Sequence, residues 1–500
     1  MSHYAPNPNK SVNLPIDGLP VTVPEDTTIL EAARKVNVSI PTLCDYPDLR
    51  RRAVCRLCVV ECDGRGKLVP ACANDVWEGV NVITNNARII DIRKTIIELM
   101  LANHPQDCLA CIRNTRCELQ SLAERFGIRS SSLNHKANQL PSESANGILV
   151  RDMGKCVKCG RCVEVCQEVQ TVRAINSSHR SVEYEICTPY GQALTDGPCI
   201  FCGQCAVVCP VGAIYGHDQS TELWTILSNG RQNVVAELTP SVTETIAKDF
   251  GLKPVTITGG KLVTTLKRMG FNKVFDAGFF SDLAAGEELN ELHERIKTNS
   301  LSTKPQSARM RLPMLSGCFP GWIKFVKEAY PDLMDHLSSN QSARQLFVSL
   351  ARKQEQKITS VSILPCIAMK TGTQQLNNEA SPNPDFTLTA QELARLVRLA
   401  GIDFSQMPES PFDTITVKND MQRGTSAPTD FGAGSETGTT DNINEKTLVV
   451  NGLGNARIIM DAIRKGNCDA ALVKIMCCPT CFTGAGCSAA GCTIDGAKKP

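Results

Sequence analysis

The sequence predicts a multidomain chain, α+β over its first half and α/β over its second. Three observations carry this. Tight cysteine groups, separated by short strand-like and helical pieces, run from Cys44 to Cys209. From about residue 230, short apolar runs alternate with helical patterns, as in parallel sheets flanked by helices. Finally, 25 cysteines in 500 residues are too many for ordinary core packing, in a chain too long for a small disulfide scaffold. The groupings divide the chain into 10–80, 81–120, 148–217 and 230–500.

In 10–80, the pieces Ser11–Ile16 and Leu19–Val23 surround an Asp17-Gly18 turn and predict a hairpin. Thr27 or Thr28 then caps a helix with Ile29, Ala33 and Val36 on one side. Cys44, Cys55, Cys58 and Cys72 follow. Four thiolates spread over a loop and the next strand suit a flat [2Fe–2S] rhomb, two ligands per iron, although the spacing is not the plant-type one. It resembles the N-terminal ferredoxin domain shared by the large iron–sulfur subunit of respiratory complex I and by multi-cluster [FeFe]-hydrogenases. That resemblance implies a β-grasp [2Fe–2S] ferredoxin domain. Cys62 falls outside the pattern and reads as a small buried residue.

In 81–120, the apolar residues of Ala87–Ala102 recur at helical spacing. The helix leads into His104, Cys108, Cys111 and Cys117. Three thiolates leave one iron of a [4Fe–4S] cube open, and an imidazole fills that position while removing negative charge. A one-His/three-Cys module of this kind follows the [2Fe–2S] domain in the same two families. Residues 121–148, rich in Ser, Pro and Asn, read as a linker.

The stretch 148–217 holds C-V-K-C-G-R-C-V-E-V-C from Cys156 and C-I-F-C-G-Q-C-A-V-V-C-P from Cys199. Each half is C-x2-C-x2-C-x3-C, the bacterial two-cluster ferredoxin pattern, in which the fourth cysteine crosses to the other cube. Cys156, Cys159, Cys162 and Cys209 are thus expected on one [4Fe–4S] cluster, and Cys199, Cys202, Cys205 and Cys166 on the second. Zinc sites show two pairs of ligands rather than two such quartets. Cys187 matches no ligand position.

Composition excludes other classes. Lys+Arg 53 against Asp+Glu 51 gives a net charge of +2, no electrostatic case for nucleic acid or an anionic membrane. No apolar run is long enough for a membrane span. Reduced thiols in C-x2-C groups and a polar, proline-broken start point to the cytoplasm. Arg50, Arg51 and Arg52 read either as a docking patch for an acidic redox partner or as a solvated charge run.

In 230–500, Val234–Leu238, Val274–Ala277, Ser360–Leu364, Thr447–Asn451 and Ala470–Ile475 read as buried strands, and Thr243–Phe250, Gly259–Met269 and Gln391–Ala400 as helices. Residues 407–446 read as one long exposed connection. Thr239-Pro-Ser-Val242, Met269-Gly-Phe-Asn-Lys-Val-Phe-Asp276, Pro320-Gly-Trp322, Pro365-Cys366 and Val449-Val-Asn-Gly-Leu-Gly-Asn-Ala-Arg457 resemble the catalytic domain of [FeFe]-hydrogenases, which implies an α/β hydrogenase-like domain. Its active-site motifs are altered. Where the family reads T-S-C-C-P-x-W, Ser316-Gly-Cys-Phe-Pro-Gly-Trp322 keeps Cys318, the apparent proton-shuttle position, and puts Phe319 at a ligand position. Where it reads M-P-C-x-x-K, Met369 stands for the lysine and Lys370 comes one place late; Cys366 survives. In the third motif Lys474 replaces a glutamate, and Cys478 and Cys481 stand one residue closer than usual. A fourth [4Fe–4S] cluster on Cys366, Cys478, Cys481 and one further cysteine is one reading of this half; buried or surface thiols are the other.

The resemblance implies an iron–sulfur electron-transfer subunit of a flavin-based NAD(P)H/ferredoxin oxidoreductase complex, of the electron-bifurcating kind found in anaerobes. Its partners would be an NADH-binding flavoprotein subunit carrying the flavin, a small [2Fe–2S] subunit, and ferredoxin. The alternative is an [FeFe]-hydrogenase with an aberrant active site. Independent catalysis by this chain has no residues assigned to it.

Overall fold

The structure, a computed structural model, describes residues 10–63, 68–129, 133, 142–145, 147–253, 256–301, 311–317, 319–373, 382–415 and 447–476. The chain opens on the expected hairpin, β1 (Ser11–Ile16) and β2 (Leu19–Pro24). Asp17 and Gly18 turn it in the left-handed region, at φ 48° and 81°, the conformation a two-residue turn between twisted strands requires. Thr28 caps α1 (Ile29–Lys35) in a reciprocal capping box with Glu31. β3 (Val59–Cys62), β4 (Val69–Pro70) and β5 (Val82–Ile83) complete a five-stranded sheet of order β2-β1-β5-β3-β4, with β1 and β5 parallel. Its core gathers Val12, Leu14, Ile16, Ile29, Val60 and Val82; Cys62 is buried there, as the sequence suggests.

Helix α2 (Ala87–Ala102) has the predicted bounds, with Asn86 accepting from the Ile89 N–H at its start. α3 (Glu118–Arg125) and β6 (Glu143–Ala145) follow. The linker reading of 121–148 is therefore too broad at both ends. Leu122 carries the apolar face of α3 beyond residue 121 and packs in the central core. β7 (Leu149–Arg151), α4 (Arg161–Glu164), the hairpin β8 (Asn176–Ser178) and β9 (Glu185–Cys187), α5 (Gln204–Val208) and β10 (Ile214–Gly216) make the small central unit. One continuous core runs from Leu43 and Cys55 through Ile97 and Leu119 to Ile214.

The second half is α/β, as expected. α6 (Ser220–Asn229), β11 (Val234–Leu238), α7 (Val242–Asp249), α8 (Gly259–Arg268), β12 (Lys273–Asp276), α9 (Ala277–Leu301), β13 (Met314–Gly317), α10 (Gly321–Ala329) and α11 (Ala343–Gln354) come first. β14 (Thr359–Leu364), β15 (Phe386–Thr389), α12 (Ala390–Leu399), β16 (Thr447–Asn451), α13 (Leu453–Arg464) and β17 (Leu472–Met476) follow. The strands form two sheets, β12-β11-β14-β15 and β13-β17-β16. Every pairing in both is parallel. Along β11, Val234, Ala236 and Leu238 face one core and Val235 the other, the two-residue alternation of a sheet covered on both faces.

The start of the predicted exposed connection is packed rather than free. Asp413 accepts from the Val274 N–H at 2.8 Å on edge strand β12, and the Ser410 N–H donates to the Gly260 carbonyl at 3.2 Å. Polar composition suggested exposure there, but these groups cap a sheet edge and a helix start. Residues 416–446 lie outside the described residues.

Candidate metal centres

The first four cysteines converge. Cys44, Cys55, Cys58 and Cys72 are all buried, and the Cys58 and Cys72 sulfurs are 3.3 Å apart. Hydrogen bonds from the Cys55 and Cys72 thiols pull Cys44 well below its usual value, and Cys72 does the same for Cys58. The loop that carries Cys55 bends through Ala53 and Arg56, both at positive φ, strain that is uncommon outside functional loops. The Ala71 N–H ties the Cys72 turn to the Cys58 carbonyl at 3.0 Å. Arg93, 4% exposed, donates to the carbonyls of Leu57 and Val59, each at 2.9 Å, on either side of Cys58. Nothing in the cysteine spacing announces Arg93; only its position on the buried face of α2 hints at it.

In the next module burial pushes the Cys117 thiol up, and Cys111 and Cys108 add a smaller push in the same direction. Cys111 Sγ lies against Gly212 of the central unit. His104 is buried beside Lys155, Asp107 and Asp152, and burial lowers its imidazole, keeping it neutral. A neutral ring is the form that ligates metal.

The structure brings the cysteines of the two quartets close together in the central unit. Cys156, Cys159, Cys162 and Cys209 line, with Met153, Ile186, Val211 and Ile214, one small space of about 20 Å³. Burial drives the Cys162 thiol well above its usual value, and Cys159, Cys156, Cys209 and Cys205 add to it; Cys205 is raised in the same way by burial, Cys202, Cys199, Cys166 and Cys209. Burial likewise lifts Cys156 to about 11 and Cys199 to about 12. Such thiols shed their protons only against a compensating positive charge, which iron supplies on binding. Backbone N–H groups already point at sulfur: Lys158 to Cys156 and Phe201 to Cys199, each at 3.4 Å, and Ala174 to Cys166 at 3.2 Å. Among the described residues no three His, Cys, Asp or Glu side chains close on one metal ion. Ligands shared among the irons of a cluster are spread more widely than the four around a zinc ion. The donor sets fit iron–sulfur clusters. Cys187, by contrast, bonds the Ser178 hydroxyl at 3.3 Å.

The halves of the central unit are docked alike. Gly160 and Gly203 hold equivalent places at φ 78° and 73°. A Cβ on Gly160 would lie 2.8 Å from the Arg52 guanidinium, and one on Gly203 2.9 Å from Ile367 Cβ. Arg52 also binds Glu164 at 3.0 Å, and Arg51 binds Glu31 at 3.1 Å. Arg52 is therefore an internal tie, whereas Arg51 and its Glu31 partner form an exposed ion pair.

In the second half, Phe319 is buried with Ile200, Trp322 and Cys366, and Cys202 packs against the same cluster. Met369 borders it. Lys370 is buried in an ion pair with Glu392 at 2.6 Å and donates to the His217 carbonyl at 2.8 Å. Lys474 pairs with Glu288 at 2.9 Å. Cys318, Cys478 and Cys481 lie outside the described residues.

Comparison with known proteins places these features. Residues 232–485 match the family described as iron only hydrogenase large subunit, C-terminal domain. Residues 9–87 match a 2Fe-2S iron-sulfur cluster binding domain, 93–132 the NADH-ubiquinone oxidoreductase-G iron-sulfur binding region, and 197–215 a 4Fe-4S binding domain. The chain is 35% identical over 418 residues to NADP-reducing hydrogenase subunit HndD of Solidesulfovibrio fructosivorans, covering 80% of this chain and 71% of that protein. It is 29% identical to iron hydrogenase 1 of Clostridium pasteurianum, over 80% of this chain and 70% of that one. It is 34% identical to NADPH-Fe(3+) oxidoreductase subunit alpha of Geobacter sulfurreducens, over 41% of this chain and 24% of that protein. Sulfur sets and matches together define a multi-domain iron–sulfur protein of mixed α/β structure, an electron-transfer subunit of an oxidoreductase complex. The chain belongs to the iron-only hydrogenase large-subunit family, and its N-terminal iron–sulfur regions are of the NADH-ubiquinone oxidoreductase kind.

Proposed function

We propose that this chain is the iron–sulfur electron-transfer subunit of a cytoplasmic, flavin-based, electron-bifurcating NAD(P)H/ferredoxin oxidoreductase complex. The observation that carries the reading is the single core from Leu43 to Ile214, which takes in cysteines of each successive sulfur set: Cys44 and Cys55, then Cys117, then seven of the eight quartet cysteines. A β-grasp domain (10–80) would hold one [2Fe–2S] cluster through Cys44, Cys55, Cys58 and Cys72. The 81–120 module would hold a [4Fe–4S] cluster through His104, Cys108, Cys111 and Cys117, and the 148–217 unit two more through its crossed quartets. These clusters supply one-electron carriers; the chain's residues orient their ligands and exclude water.

The domain at 230–500 is read as having left hydrogen chemistry. A buried phenylalanine stands at a ligand position, and the displaced Lys370 is held in an ion pair with Glu392. Iron content decides whether Cys366 joins Cys478 and Cys481 around a further [4Fe–4S] cluster. Relatives named as subunits of an NADP-reducing hydrogenase and of an NADPH-Fe(3+) oxidoreductase support a partner that handles a nicotinamide. The partners in this reading are an NADH-binding flavoprotein and a small [2Fe–2S] subunit, with ferredoxin as acceptor.

The test is anaerobic co-purification with the flavoprotein and small subunits, then addition of NADH and freezing for EPR. Reduced [2Fe–2S] and [4Fe–4S] signals on this chain, ferredoxin reduction, and no hydrogen from reduced viologen are expected. Hydrogen evolution after treatment with the hydrogenase assembly factors would instead establish a hydrogenase with an aberrant site.

A further inference from the structure

Beside the first sulfur set lies a cavity of about 430 Å³ that none of the cluster sites uses. It opens between the β1–β2 turn, helix α2 and the end of α3. Arg93, Lys94 and Arg125 line it, against a single carboxylate, Asp17. That carboxylate is already engaged by the Thr84 N–H at 2.7 Å and the Thr84 hydroxyl at 2.5 Å. Arg125 donates to the Ser39 carbonyl at 2.8 Å, a neutral acceptor, and Lys94 is exposed with no carboxylate partner among the described residues. Arg93 spends Nε and Nη2 on the Leu57 and Val59 carbonyls; its Nη1 has no acceptor among the described residues, and the side chain lines the cavity.

Three cations without a matching set of acids, converging on one concave site, are arranged for a multivalent anion. Arginine forks and a lysine ammonium suit phosphate oxygens, and the volume admits more than a bare phosphate. We propose that this cavity binds a phosphate-class oxyanion, and that Arg93 couples its occupancy to the redox state of the [2Fe–2S] cluster. The coupling rests on the reading of Cys58 as a cluster ligand. Arg93 grips the backbone on both sides of Cys58, so an anion on Nη1 offsets its positive charge within one residue of the ligand. Reduction adds one electron to the cluster and forms no bond. The added negative charge opposes the bound anion, so the anion binds the oxidised chain more tightly and lowers the midpoint when present. Linkage makes the two effects equal.

The test uses the full-length, cluster-loaded chain at constant ionic strength. Inorganic phosphate and a nucleoside monophosphate are titrated separately by calorimetry, and the [2Fe–2S] midpoint is followed by EPR at saturating ligand. Saturable 1:1 binding is expected, weakened at least tenfold in a Lys94→Gln, Arg125→Gln double variant, with a fall in midpoint. A tenfold preference for the oxidised chain corresponds to about 59 mV. Tighter binding of the nucleotide would assign the site to a phosphoryl group on a larger ligand, and equal binding to free phosphate. No saturable binding, binding indifferent to the double variant, or a midpoint unmoved at saturation overturns the proposal. A chain that binds phosphate but shows no [2Fe–2S] signal overturns the coupling together with the assignment of Cys58.

Discussion

Glu237 is 1% exposed in the middle of strand β11, with the Ser362 hydroxyl donating to it at 2.5 Å and its second oxygen unpaired. Burial raises its carboxyl from 4.5 to about 7. The folded chain thus keeps the proton to higher pH than the unfolded chain does. The stability this contributes is fully present below 4.5 and is lost as pH rises through 7. The span is worth on the order of 3 kcal/mol. The unfolding transition of the α/β half should therefore fall in temperature between about pH 5 and pH 8, and Glu237→Gln, which keeps the acceptor oxygen without the charge, should flatten that dependence. A variant melting with the wild-type pH profile would show that Glu237 is not the group responsible. The strand was legible in the sequence, because Val234, Val235, Ala236 and Leu238 flank this residue. Glu237 was not, since one carboxylate in an apolar run gives no sign of whether a serine from β14 will meet it.

At the scale of elements, the left-handed positions of the central unit explain how it joins its neighbours. Gly160 receives Arg52 and Gly203 receives Ile367. The two substitutions to alanine carry the same backbone strain but different sterics. Arg52 meets a new Cβ with the far end of a flexible side chain, whereas Ile367 meets it with its own Cβ, which cannot swing aside. Gly160→Ala should cost about 1 kcal/mol, mostly from the positive φ, and Gly203→Ala about 2 kcal/mol or more. Paired denaturation curves of the two variants check the order, and equal losses would mean that the interface at Ile367 yields. Cysteine spacing laid out the sulfur sets because ligand geometry fixes the intervals between them. It did not show Arg52, Arg93 or Arg161, which tie the sets together. Arg161 is 3% exposed and grips Glu118 at 2.6 Å and 2.8 Å, from 43 residues away. Contacts of that kind leave no periodic trace in a sequence.

Across the whole molecule, the quartet that includes Cys202 is covered from two sides: Cys166, Cys199 and Cys205 lie in the core of the central unit, and Cys202 packs against the α/β half. Ile200 and Cys202 pack with Phe319, Trp322 and Cys366, and Ile367 presses on Gly203 and Gly216. In the proposed reading, this arrangement would give the altered hydrogenase-like domain a task independent of hydrogen: keeping water from the cluster held by Cys166, Cys199, Cys202 and Cys205. It also separates the two readings of Cys366. With one [2Fe–2S] and three [4Fe–4S] clusters the purified chain should hold about fourteen irons, and a further cube would bring this to about eighteen. Ile367→Asp in the full-length chain places a carboxylate against Gly203 without removing any cysteine. A charge buried without a partner is costly, so the seal should open and the cluster of Cys166, Cys199, Cys202 and Cys205 should be lost first. From a fourteen-iron wild type, iron should then fall to about ten, with the [2Fe–2S] EPR signal unchanged. Full iron retention in this variant, with all [4Fe–4S] signals intact, would show that the cluster does not depend on the domain packed against it.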